Sequence, residues 1–521
     1  LSFTLAGWSQ SPSKNWMLLD HTQDGVYGMS VEKAYGILKN RKPRKVVVAV
    51  IDSGVDTDHE DLKEVIWKNI DEIPGNGIDD DKNGYVDDMN GWNFIGGKDG
   101  KNVEHDTYEM TRLYVMYGKK FEGKDATKLK GAEKKEYEKY QKIKAELEQK
   151  RAEYESEKGS FEMLATELGK TINEIKRRYG MEEVTSENLQ ELKIDEKDSL
   201  VTSVNMLKLM FMFLGNNDKE VMKNLNEGLQ HYAGALEYGL NPSFDPRPIV
   251  GDNYANSYET GYGNNDVKGP DPSHGTHVAG IIAGKRGNGI GLDGIADNVE
   301  IMVIRVVPDG DERDKDVANG IRYAVDNGAN IINMSFGKAY AYDKAAVDAA
   351  VKYAEKKGVL LVHAAGNDSQ DIDTTSNFPT KKYVKGGYAK NWLEIGAMGW
   401  EPAPGSVGSF SNYGRKNVDI FAPGVDIYST MPGNEYAFEN GTSMAAPSTS
   451  GVAAVLMSYF PDLTAAQVKN ILMKTAAHYP GLMVSRPGTE DLTDFSTLSV
   501  SGGVVNLYNA VQEALKVSKS N

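Results

Sequence analysis

Three residues far apart in the chain, Asp52, His274 and Ser443, have the side chains that acyl transfer at neutral pH requires. That chemistry needs a nucleophile, a base to take its proton, a carboxylate to orient the base, and donors for the oxyanion. Asp52 ends the apolar run Val46 to Ile51 and precedes Ser53-Gly54, which places a carboxylate at the end of a buried strand. His274 opens the block His274-Gly275-Thr276-His277-Val278-Ala279-Gly280, whose small residues allow close packing under a site. Ser443 lies in Gly441-Thr442-Ser443-Met444-Ala445-Ala446-Pro447, at the start of a helical pattern reaching Met457. Free N–H groups and the helix dipole there favour developing negative charge. Taken singly, an Asp after a strand or a Ser at a helix start is a cap or turn residue. Together they read as a serine hydrolase. His277 reads as structural, and His363 receives no role.

A second signal lies in the run from Asn76 to Asp88. Asp79, Asp81 and Asn83 alternate around Gly84, the first half of an oxygen-ligand calcium loop in which every second side chain points inward. Tyr85 would add its carbonyl, and Asp88, or Asp87 through water, would complete the shell. The twelfth position is Asn90 and not Glu, so the loop is not an EF-hand. The cation would be structural.

Elements able to position these groups follow from the patterning. Val46 to Ile51, Ile301 to Val307, Ile331 to Met334, Val359 to Ala364 and Glu394 to Met398 are short apolar runs without strict alternation, as in strands buried on both faces. Asp316 to Asn327 and Tyr342 to Lys357 have helical spacing between them. Strand-helix-strand repetition implies an α/β fold with a mainly parallel sheet and right-handed crossovers. Ligands then bind beyond the carboxyl ends of the strands, where Asp52 and Asn367 fall.

The chain divides into an N-terminal extension (1–44), a first catalytic part (45–102), an all-α insertion (103–265) and a second catalytic part with a C-terminal extension (266–521). Within the insertion, residues 130–158, 161–168, 172–179, 200–214 and 220–238 carry helical patterns, and 251–271 read as a return linker. Met206 to Leu214 is the most membrane-like stretch. It includes Lys208 and falls short of the roughly 20 residues a spanning helix needs, so it reads as a buried helix.

A net charge of −16 argues against a nucleic-acid partner, whose footprint is basic. The absence of cysteine excludes disulfides and thiolate zinc sites.

The order Asp, His, Ser and the three blocks around Asp52, His274 and Ser443 resemble a subtilisin-like serine protease (subtilase superfamily, peptidase family S8). The resemblance covers about 45–100 and 266–480. It implies a three-layer fold and a serine endopeptidase working through an acyl-enzyme, without a catalytic cofactor. Ala364-Ala365-Gly366-Asn367 is similar to the family's oxyanion segment, which makes Asn367 the side-chain donor. Asn333 to Gly337 is similar to the segment that pairs with substrate backbone as an added strand, with Ser335, Phe336 and Gly337 lining the specificity pocket. Stabilising calcium in acidic loops, protein or peptide substrates, and a secreted or cell-envelope location (periplasm or surface) are further implications. The competing reading is a binding or scaffold protein that uses the helical insertion on a protease-fold platform. Intact catalytic residues weigh against it.

Overall fold

The computed structural model describes residues 12–195 and 197–518, in two compact units. One joins the chain before His105 to the chain after Asp245; the other is His105–Asp245.

The first unit is built on a sheet of seven parallel strands in the order β2-β3-β1-β4-β5-β6-β7. These are β1 (Val46–Asp52), β2 (Gly91–Asn93), β3 (Val299–Arg305), β4 (Ile331–Met334), β5 (Leu360–Ala364), β6 (Trp392–Met398) and β7 (Ile420–Pro423). Side chains of a strand alternate between faces, and here both faces are apolar. Val46, Val48 and Val50 join a core with the helices Ser273–Ala283 and Thr442–Tyr459. Ala49 and Ile51 join the opposite core with the helices Asp314–Asp326 and Lys344–Lys357. A helix layer on each side of the sheet makes the fold three-layered. β2 and β7, of three and four residues, were not among the runs read from the sequence. An antiparallel hairpin of β8 (Ile427–Met431) and β9 (Glu435–Glu439) adjoins the Ser273–Ala283 helix.

The stretch 246–265, read from the sequence with the insertion, packs on the sheet unit. Arg247 forks onto Asp252 and Asp316, and the Tyr262 hydroxyl donates to Asp316 at 2.7 Å. These charges are buried, and breaking one partner would strand the others without solvent. The N-terminal stretch also belongs to this unit: Trp16, Met17 and Leu18 are buried, and the helix Val31–Leu38 packs on Leu507–Val517.

The helical unit contains Glu109–Phe121, Gly131–Tyr179, Ser186–Glu191, Val201–Leu214 and Asp218–Gly234. Gly159 does not break the second helix, which runs unbroken for 49 residues where the sequence suggested three segments. An interior glycine costs only about 1 kcal/mol, and the Lys158–Glu162 ion pair at 2.8 Å spans it. One end of this helix carries the unit's core, with Leu168, Ile172 and Ile175 against Val204, Leu207, Phe211, Val221 and Leu225. Val201–Leu214 is not a buried helix. Only Val204, Leu207 and Phe211 are buried, whereas Met206, Leu209, Met212 and Phe213 are exposed. The sequence misled there because its apolar residues cover the whole circumference and give no stripe. Among the described residues no helix is long and apolar enough to cross a membrane.

Candidate active site

Asp52 is the last residue of β1 and shares the parity of Val46, Val48 and Val50, so its side chain faces the Ser273–Ala283 helix. His274 is the second residue of that helix. Asp52 Oδ1 accepts from the Ser53 N–H and from His274 Nδ1, both at 2.7 Å. The approach is tight: a Cβ on Gly275 would stand 2.1 Å from the Gly54 carbonyl oxygen and 3.2 Å from the Asp52 Cβ. A residue larger than glycine would push imidazole and carboxylate apart.

Desolvation works to lower the His274 pKa, but the charge and hydrogen bond of Asp52, with help from Glu439 and Asp271, hold it above the usual histidine value. His277, one turn on, is different. It is buried, bonds the Ala437 carbonyl at 3.2 Å, and is driven down to about 4 by burial. It stays neutral and ties the helix to β9.

Ser443 stands in the first turn of Thr442–Tyr459. Pro447 sits four residues on and has no N–H, so it leaves the Ser443 carbonyl without its usual helical partner. The Ser335 hydroxyl supplies one at 2.8 Å and is itself held by Asn333 Nδ2 at 3.0 Å. The Ser443 hydroxyl donates to the Ser335 carbonyl at 3.1 Å, which makes Ser335 its resting partner. Resting catalytic hydrogen bonds are often looser than those in a substrate complex.

Asn367 is exposed, just past β5 and beside Thr442. Its Oδ1 accepts from the Thr442 N–H and the Thr442 hydroxyl, each at 2.9 Å. The same hydroxyl accepts from the Gly366 N–H at 3.0 Å. Only an oxygen can accept two donors, so the amide is fixed with Nδ2 turned away from Thr442. Thr442 is therefore an orienting residue that the sequence concealed, since its place in the serine block gave it no separate signal.

Of the three residues expected to line the substrate pocket, Ser335 and Phe336 are buried and Gly337 is exposed. The Phe336 ring meets His363 edge-on at 6.3 Å. His363, unassigned from the sequence, is fully buried and bonds Glu394 at 2.7 Å, while Trp392 Nε1 donates to the other Glu394 oxygen at 2.7 Å.

The acidic loop is arranged differently from its sequence spacing. Asp79 accepts from the Asn83 and Gly84 N–H groups and so caps the loop's own backbone. Asn83 presents Nδ2, not Oδ1, to Asp81 and Asp88, at 3.0 Å each. Tyr85 buries its ring against Trp92, Phe94 and Tyr323. The carboxylates that converge are Asp81, Asp88 and Glu72, with oxygens within 4.8 Å of one another. Glu72 lies outside the alternating pattern and was not legible there. Burial, with the charge of Asp81 adding to it, pushes Asp88 up to about 6.

The family model for the subtilase family, peptidase S8, matches residues 43–497. Over 240 residues the chain is 37% identical to a thermophilic serine proteinase from a Bacillus species (strain AK1), covering 46% of this chain and 52% of that one. Against subtilisin DY of Bacillus licheniformis it is 34% identical over 255 residues, 48% of this chain and 85% of that one. A thermostable alkaline protease from Halalkalibacterium halodurans is 31% identical over 303 residues, covering 57% and 77%. The match thus spans about half the length of the first of these relatives and most of the other two. With 455 of 521 residues inside the family match (497 − 43 + 1), the chain belongs to the subtilase family of serine proteases, which is defined by an Asp-His-Ser triad and an oxyanion asparagine.

Proposed function

We propose that the protein is a serine endopeptidase in which Ser443 is the nucleophile, His274 the base, Asp52 its orienting carboxylate and Asn367 an oxyanion donor. The observation that carries this reading is the fixed pair of Asp52 on His274 Nδ1 and Thr442 on Asn367 Oδ1. The first leaves the lone pair of His274 Nε2 for the Ser443 proton; the second leaves Asn367 Nδ2 for the oxyanion. Rotation about the Ser443 side-chain bond would release the hydroxyl from Ser335. As His274 takes the proton, Oγ attacks the scissile carbonyl carbon and the carbonyl oxygen becomes anionic. Asn367 Nδ2 and the Ser443 N–H receive that charge. His274 then protonates the leaving amine, the C–N bond breaks, and an acyl-enzyme remains for water to cleave by the same steps in reverse. Digestion of a peptide library by the wild type and by Ser443→Ala tests the reading. Cleavage confined to the wild type is expected; equal cleavage by both would refute it.

The acidic loop supports a structural cation reading, since three carboxylates, two of them buried, converge on one point. Glu72, Asp81 and Asp88 would hold a hard cation such as calcium, with Asp79 and Asn83 shaping the loop. Calcium should raise the melting temperature, and a chelator should lower it, in the wild type but not in Asp81→Asn/Asp88→Asn. A melting temperature indifferent to both additions would dismiss the cation. The family resemblance supports a secreted or cell-envelope location, which fractionation of the source cells would test.

A further inference from the structure

We propose that the sheet unit carries a binding cleft for an anionic polysaccharide, at the end of the sheet remote from the triad residues. The helix Lys344–Lys357 ends just before β5 begins at Leu360, and Lys390 stands two residues before β6. Both therefore lie at the amino ends of the strands, whereas Asp52 and Asn367 lie at the carboxyl ends. Between this helix and the loop 381–390 is a cleft of about 480 Å³, lined by Lys352, Glu355, Lys356, Tyr383, Tyr388 and Lys390. The loop is a built turn: Lys382 and Tyr388 pair across it, and the Tyr383 N–H donates to the Gly387 carbonyl at 3.0 Å. Gly386 and Gly387 close it at φ of 86° and 89°, and without a Cβ they leave that side of the cleft open.

In a chain of net charge −16, six exposed lysines gather on this helix end and loop: Lys352, Lys356, Lys357, Lys382, Lys385 and Lys390. Among the described residues none of their ammonium groups has a hydrogen bond or an ion pair. The lysines beside them differ, since Lys344 is paired with Asp348 at 2.5 Å and Lys381 with Asp419 at 3.0 Å. The nearby carboxylates are already committed. Glu355 Oε2 accepts from the Tyr383 hydroxyl at 3.1 Å and the Lys390 N–H at 3.2 Å, and Asp348 accepts from Lys344 and from the Val384 N–H at 2.7 Å. The helix dipole accounts for Lys356 and Lys357 in the last turn, but not for Lys352 or the three on the loop. A cleft lined by one sign of charge focuses the field and concentrates counter-ions, so this one draws anions.

The lining selects a sugar chain among anions. Tyr388 is 56% exposed and offers an amphipathic ring to a sugar face, while Lys352 Nζ sits 4.3 Å from the centroid of the Tyr383 ring and holds it in place. Glu355 Oε1 has no hydrogen bond among the described residues and can accept from sugar hydroxyls. The same carboxylate opposes a ligand made of closely spaced phosphates. A flat bilayer surface would meet the lysine tips and leave the concave lining unused. Held by this end of the sheet, the protein would keep the carboxyl ends of its strands clear.

The experiment titrates the protein against fluorescein-labelled polygalacturonate, dextran sulfate and neutral dextran, read by anisotropy at low and at physiological ionic strength. Binding of at least one anionic chain, weakened by salt, without binding of dextran is expected, and the two anionic chains tell carboxylate from sulfate. Lys352→Glu/Lys356→Glu/Lys390→Glu should weaken it by at least about tenfold, since like charges are then brought together. Tyr388→Ala leaves the charge unchanged and should weaken it roughly tenfold, the scale of one lost aromatic stack; it keeps the test open should the triple variant fail to fold. Lys119→Glu/Lys135→Glu/Lys193→Glu makes the same change of net charge on the helical unit and should leave the affinity unchanged. Failure to bind either anionic chain, or equal binding of neutral dextran, overturns the proposal. So does an affinity that survives in a folded cleft variant or falls equally in the helical-unit variant. Tighter binding to phosphatidylglycerol vesicles or to single-stranded DNA than to both anionic chains overturns it as well. None of these outcomes depends on peptidase activity, so the endopeptidase reading stands or falls separately.

Discussion

The two units bury themselves by different means. In the sheet unit both faces of every central strand are covered, and polar groups at the strand ends are held by named partners, as Ser335 holds the Ser443 carbonyl. In the helical unit one end of the 49-residue helix carries a small core, and Val201–Leu214 leaves Met212 and Phe213 more than two-thirds exposed. Where chemistry fixes atoms, side chains are tied down at both ends; where only packing is asked for, half a helix can remain uncovered. The comparison predicts that small changes in the sheet unit alter rate steeply, whereas those in the helical unit alter stability or nothing.

The largest expected effect is on the nucleophile. Ser443→Ala or His274→Ala should lower kcat by roughly 10⁶, the loss known for subtilisin itself, and the double variant should lose little more. Steady-state kinetics on one peptide decides this. A second loss that multiplies the first would show that the two residues do not act as a unit.

Asn367→Ala should cost roughly 10²–10³ in kcat with KM nearly unchanged, again a magnitude taken from subtilisin. Thr442→Val keeps the backbone N–H to Asn367 Oδ1 but removes the hydroxyl, and should cost only about fivefold, near 1 kcal/mol. Equal losses in the two variants would mean that Asn367 acts only by packing.

In the helical unit the expectation reverses. Leu207→Ala or Phe211→Ala removes a buried side chain from a small core and should cost about 2–5 kcal/mol of stability, read by denaturant unfolding. Phe213→Ser, on the exposed face of the same helix, should stay within about 0.5 kcal/mol. None should change kcat on a short peptide. A large stability loss at Phe213 would show that its face is covered in solution.

The smallest effect concerns pH. His274 must be neutral to accept the Ser443 proton, so kcat/KM should fall as the pH drops through its pKa. Asp52 and Glu439 raise that pKa against the opposing effect of desolvation, so the acid limb should lie above the ordinary histidine range. Glu439→Gln removes one of the raising charges and should move the limb to lower pH by a fraction of a unit, without changing the plateau. A limb that stayed in place would dissociate Glu439 from the imidazole.

The same contrast governs what could be read in advance. Asp52, His274 and Ser443 could be put forward from the sequence because each lies in a block suited to close approach and to the chemistry, and Asn367 through its likeness to the family's oxyanion segment. Thr442 and Pro447 act through three-dimensional neighbours, and one-dimensional spacing does not show that Pro447 frees the carbonyl that Ser335 then satisfies. Glu72 joins Asp81 and Asp88 from outside the alternating loop for the same reason. β1, β3, β5 and β6 were visible as apolar runs with an end shifted by one or two residues, and β4 with its ends unchanged; β2 and β7 were not read. Gly131–Tyr179, Val201–Leu214 and Asp218–Gly234 were found by periodicity whereas Glu109–Phe121 and Ser186–Glu191 were not, and the continuity across Gly159 and the exposure of Met212 depend on packing, which periodicity does not report.

The central claim is that Ser443 is a nucleophile activated by His274, and mass spectrometry of the protein after exposure to a fluorophosphonate tests it most directly. The account predicts one adduct on the peptide bearing Ser443 in the wild type, none in Ser443→Ala, and a rate that rises with pH as His274 loses its proton. A folded wild type without an adduct, or an adduct on another residue that persists in Ser443→Ala, would contradict it.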